Sequence, residues 1–122
     1  MKRRVDRFQL IKKIKTNQQR ELVLKIADLR KLCEKKELVI HSFELYLSEY
    51  QNKMVNGQAL SAASFINFQS FLNQIARVLQ QERDELAEFS QRIHLLTSDY
   101  IKTKHQIDGI EEAILNLKIT PN

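Results

Sequence analysis

Two glycines and one proline are all the chain offers for turns among 122 residues. Sandwiches, barrels and α/β folds need many tight turns, which favour Gly or Pro, so these classes are excluded. There is no tryptophan, and Phe and Tyr together make up only 7% of the residues, so a large aromatic core is not expected. No apolar run approaches the roughly 18 residues of a membrane span. Met1-Lys2-Arg3-Arg4 is basic, but no compact apolar stretch follows it, so it does not read as a secretory signal. The lone Cys33 can form no internal disulfide and reads as a reduced thiol on a helix. What remains is one domain, all-α, made of a few long helices.

The chemistry of enzymes is also missing. His41, His94 and His105 are dispersed, and no Cys/His cluster has metal-ligand spacing. There is no glycine-rich phosphate loop, no HExxH and no GxSxG. The sequential carboxylates Asp84-Glu85 and Glu111-Glu112 belong to helix surfaces. A two-helix protein offers no water-excluding pocket for acid–base work. No catalytic residue, cofactor or metal is therefore expected.

Charge is present and unevenly placed. Residues 1–36 hold thirteen Lys/Arg against four Asp/Glu, whereas residues 37–122 hold seven against eleven. A basic arm suits nucleic acid, an acidic protein or anionic lipid. It can also be a solvated face answered by acids of the same fold.

The punctuation divides the chain once. Asn56-Gly57 is the strongest turn signal, and Ser61 or Ser64 can cap the helix that follows. The expectation is a helix over about 3–54, a loop over about 55–61 and a helix over about 62–118. In the second segment a 3-4 row runs without a slip from Phe65 and Phe68 through Leu72, Ile75 and Leu79 to Leu117, broken only by Glu82 and Thr103. Only an a/d seam needs that 3.5-residue period, so the row marks a coiled coil. In the first segment the row runs from Leu22 to Met54 with Lys36 as its one break. Before Leu22 the frame shifts, through Val5, Phe8, Ile11 and Ile14, which reads as a stutter.

A short loop makes the helices antiparallel, with facing residues whose numbers sum to about 115–118. In that register Tyr50 meets Phe65–Phe68, and the basic half of the first helix lies beside residues 82–117, with eight acids and four bases. Part of the basic charge is then answered internally. In an antiparallel pair g positions face g along one edge and e positions face e along the other. Near the loop the g residues are Val39, Tyr46, Phe71 and Val78, and the e residues are Glu37, Glu44, Gln51, Gln69, Ala76 and Arg83. One edge is apolar and aromatic, the other mostly polar. Two helices cannot bury such an edge, so it reads as a binding surface or a self-association surface.

Glu49-Tyr50 before the loop, and Phe65-Ile66-Asn67-Phe68-Gln69-Ser70-Phe71 after it, resemble the flagellar type III export protein FliJ family. Stalk proteins of virulence-type secretion systems share the architecture. The resemblance implies an antiparallel two-helix coiled coil similar to the central stalk of rotary ATPases. It implies a non-enzymatic, cytoplasmic component of an export apparatus, peripheral to the inner membrane. Its partners would be the hexameric export ATPase, which it stimulates, the cytoplasmic domain of the export-gate membrane protein, and export chaperones. The family's gate-binding row falls on Val39, Phe43, Tyr46, Tyr50, Phe71, Ile75, Val78 and Glu82; Val39 and Glu82 depart from its residue types. The basic end, with Arg3, Arg4, Arg7, Lys12 and Lys13, would engage the ATPase. The alternatives are a basic coiled coil that binds nucleic acid and a self-associating scaffold.

Overall fold

The computed structural model describes residues 2–55 and 62–119. The loop signals Asn56-Gly57 and Ser61, and Pro121, lie outside the described residues. The chain is an all-α helical hairpin of α1, Lys2–Val55, and α2, Ala62–Ile119. Neither Gly nor Pro interrupts α1. Gly109 alone interrupts α2, and a Cβ added there would meet nothing within 4 Å. The backbone hydrogen bonds of a helix are internal, so what holds the pair is the seam.

The chain divides into two compact units. One comprises residues 1–30 and 91–122, the other residues 31–90. In each unit the helices run antiparallel and bury a 3-4 row. The second unit buries Cys33 and Ile40 of α1 with Ile75 and Leu79 of α2. The first unit buries Ile26 of α1 with Thr103, Ile107 and Ile114 of α2. The buried Thr103 hydroxyl donates to the Asp99 carbonyl oxygen at 2.9 Å, which removes the cost of a bare polar group. Among the described residues no large side chain is buried beyond 98%. Two helices can shield a seam on two sides only, so this thin core is what the architecture allows.

Two expectations are corrected. The stutter does not form. In the first unit the sheltered row of α1 is Val5, Phe8, Lys12, Lys15, Gln19 and Leu22, each half-buried, which keeps the 3-4 spacing unbroken. Ile11 and Ile14 stand outside it at 42% and 50% exposure. The facing row of α2 never slips, and a frame change in α1 alone would turn its knobs out of register with those holes. Register thus outweighs the local preference for isoleucine over lysine. Lysine also tolerates such a position, because its stem packs while its ammonium reaches out. Second, Phe65 is not in the seam; it is 49% exposed. It falls opposite the last residues of α1, which ends at Val55, so it has little to pack against. The expected register holds in the second unit, where Tyr46–Phe71, Tyr50–Phe68 and Lys36–Glu82 sum to 117, 118 and 118, and longer reaches pass beyond it. Lys36 also meets Glu85, summing to 121, and Arg83 meets Glu44, summing to 127.

Candidate interaction surfaces

The g edge of the second unit is an aromatic cluster. Tyr46 and Phe71 meet edge to face across the two helices, with centroids 6.0 Å apart. Tyr50 lies 4.9 Å from Tyr46, 5.3 Å from Phe71 and 5.8 Å from Phe68, with which it stacks. Helical spacing creates the cluster: Tyr46 and Tyr50 are four apart on α1, and Phe68 and Phe71 three apart on α2. Rings in offset or tilted contact at these distances stabilise one another beyond simple burial. Hydrogen bonding with the Tyr50 side chain, and secondarily burial, hold the Tyr46 phenol above its ordinary range, so it stays neutral.

The cluster is only half covered. Val39, Tyr46 and Val78 keep 42%, 41% and 43% of their surface exposed. Leu38, Val39, Ser42, Phe43 and Tyr46 line a shallow apolar groove on α1. The Ser42 hydroxyl donates back to the Leu38 carbonyl oxygen at 3.0 Å, which leaves that groove no outward polar demand. Of the eight residues of the expected gate row, Tyr46, Tyr50 and Phe71 are in mutual ring contact. Val39 and Val78 are exposed, Phe43 is half-buried, and Ile75 is buried in the seam. Ile75 therefore supports the surface from beneath.

Glu82 belongs to a different constellation, which the sequence reading did not assemble. The Lys36 ammonium donates to the Glu82 carboxylate at 2.9 Å and to the Glu85 carboxylate. It also sits 5.8 Å from the centre of the Phe89 ring. Hydrogen bonds donated to Glu85 and then to Glu82 push the Lys36 pKa up, against a smaller opposing effect of burial. Lys36 in turn pulls the Glu85 carboxyl below its ordinary range, helped by the Gln81 amide. The clue was available: Lys36 and Glu82 are the seam's two polar breaks in this unit, opposite in charge and within the expected register. On the e edge the Arg83 guanidinium meets Glu44 at 2.9 Å, as e–e pairing requires. Both partners are about half exposed, so this pair adds little.

The basic end lies in the first unit. Arg3, Arg4, Arg7 and Lys13 are exposed and have no ion-pair partner among the described residues. Lys12 differs: it occupies the seam and gives its ammonium to Glu111 at 3.2 Å. Internal neutralisation of the basic half is thus confined, among the described residues, to Lys12 and Lys36. His41, His94 and His105 are exposed, and Cys33 is a buried thiol. Among the described residues no group of three His, Cys, Asp or Glu could hold a metal ion, and no helix is long and apolar enough to cross a membrane.

The family model described as flagellar FliJ protein matches residues 3–113. No curated protein matches the chain, and no solved structure does.

Proposed function

The chain belongs to the flagellar FliJ family, non-catalytic components of the flagellar export apparatus, and we propose that it serves there as a central-stalk-like coupling element with two separate contact surfaces. The aromatic edge around Tyr46, Tyr50 and Phe71 engages the cytoplasmic domain of the export-gate membrane protein, and export chaperones are further partners. The basic end engages the export ATPase hexamer and stimulates it through Arg3, Arg4, Arg7 and Lys13, with Lys12 held beside them by Glu111. The protein then acts in the cytoplasm beside the inner membrane. The observation that carries this reading is the half-covered aromatic cluster, in which Tyr46 meets Phe71 while Val39 and Val78 stay open.

Physical chemistry assigns the two surfaces different tasks. Neutral, packed aromatic side chains supply affinity, because they lose water and little conformational freedom on docking. Exposed arginines and lysines speed encounter with an acidic surface more than they tighten the complex. A single asymmetric stalk acting on a ring would work below one copy per ATPase subunit. The test is ATP hydrolysis by the cognate export ATPase with this protein titrated in below one copy per six subunits. Stimulation saturating in that range supports the stalk reading. No stimulation by the folded helical protein removes the ATPase half of it.

A further inference from the structure

Near its start α1 shelters two lysines and exposes two isoleucines. Lys12, Lys15 and Gln19 occupy the seam of α1, while Leu10, Ile11 and Ile14 face out at 60%, 42% and 50% exposure. A fold stabilised by its own two helices alone gains nothing from that exchange. Conflict between local sequence preference and the packed register concentrates at functional positions.

The exposed residues share a face. Arg3, Arg7 and Ile14 lie along one line of α1, with Leu10 and Ile11 to either side, as 3-4 spacing dictates. On the adjoining edge α2 presents Gln106, Gly109 and Ala113, and beside Gly109 there is open space. Two guanidiniums therefore flank one end of an apolar patch, which calls for carboxylates at that end of the occupant and apolar side chains beyond them. Farther along the same face stand Glu21, Lys25 and Asp28, all exposed. A uniformly anionic bilayer would attract Arg3, Arg7 and Lys25 but repel Glu21 and Asp28. A protein surface with a local acidic rim fits all of them.

We infer that Ile11 and Ile14, with Leu10, are the apolar anchor by which the basic end docks, and that Arg3 and Arg7 place that anchor in an acid-rimmed apolar cleft of the export ATPase. The inference rests on the ATPase contact proposed above and adds where its affinity resides. The anchor residues hold the complex, and the charges steer it.

The experiment compares the full chain with the Ile11→Gln/Ile14→Gln variant and with Leu24→Gln, which alters another exposed apolar residue of the same unit. Binding to the purified cognate ATPase is measured by titration, and melting by circular dichroism. The expected result is affinity lowered roughly tenfold or more in the double variant, unchanged in Leu24→Gln, with all three melting alike. Full affinity in the double variant overturns the inference and leaves the ATPase contact standing. A melting temperature clearly lowered in the double variant also overturns it, because the isoleucines would then be core. Failure of the unaltered chain to bind overturns the contact and the anchor together. Vesicles of phosphatidylserine and phosphatidylcholine form the last arm. Their capture of the unaltered chain at physiological salt, lost in the double variant, would make the occupant a membrane and overturn the protein cleft.

Discussion

The Lys36 ammonium lies 2.9 Å from the Glu82 carboxylate and so joins the two residues that interrupt the apolar seam of the second unit. A lone charge at either position would be left partly desolvated and would disfavour packing. Together, with Glu85 completing the site, they turn two breaks into one satisfied polar layer. Such a layer favours one register over its neighbours, since sliding the helices would strand the charges.

This layer sets a pH dependence of known sign. Glu85 is held below the ordinary carboxyl range by Lys36, so its contribution is complete above that range and is lost as pH falls through the depressed value. Lys36 is held above 10.5, so its contribution is complete below that pH and is lost as pH rises through the raised value. Melting temperature should therefore be level between about pH 5.5 and 9.5 and fall at both extremes. In Lys36→Met the acid limb should flatten. Glu85 then loses the cation that holds its carboxyl down, and protonating it no longer breaks an ion pair. Thermal melts of both proteins between pH 3.5 and 7 check this, and a parallel fall in the two would refute the pairing.

In the proposed gate contact, Tyr46 should contribute to binding more than to folding. It is 41% exposed and keeps its ring contacts with Tyr50 and Phe71 on one side only. Tyr46→Ala should weaken binding to the gate's cytoplasmic domain by about 2 kcal/mol, the scale of an aromatic anchor. Its melting temperature should fall only slightly. Calorimetric titration and thermal melting of the same samples separate the two effects, and an equal loss in both would make Tyr46 a structural residue.

Gly109→Ala should stabilise the protein. The position is in the interior of α2, and the new Cβ would meet nothing within 4 Å. Alanine gains about 1 kcal/mol over glycine in a helix, largely by restricting the unfolded chain. Urea unfolding should show a higher midpoint with an unchanged slope. A lower midpoint would mean that the helix is distorted at Gly109.

The fold was legible because an a/d seam is written directly in residue spacing. Leu72, Ile75, Leu79 and Leu86 declare their face with no knowledge of a partner. The Tyr46–Phe71 contact followed from the same period, since g positions must meet across an antiparallel pair. The place of Ile11 and Ile14 was not legible in the same way. Hydrophobicity drew them inward, but the deciding fact was the uninterrupted row on α2, which imposes its period on whatever faces it. The Lys36–Glu82–Glu85 cluster needed a register accurate to one residue, because long side chains reach several alternatives within a turn.

That reasoning makes Lys15 the sharpest test of the first unit. It occupies a seam position as an ion with no partner among the described residues, beside a core that includes Thr103 and Ile107. Lys15→Leu should extend the apolar seam and raise stability by about 1 kcal/mol, taking one to two methylenes' worth of net burial at roughly 0.8 kcal/mol each. Ile14→Ala, at the neighbouring exposed position, should change stability by about 0.5 kcal/mol or less. In the frame-shifted alternative the two responses exchange. Leucine at 15 would sit in solvent without benefit, and removing Ile14 would open a cavity costing about 2–5 kcal/mol. Urea titrations of the two single variants therefore decide which helix face α1 turns inward, by the sign of one change and the size of the other.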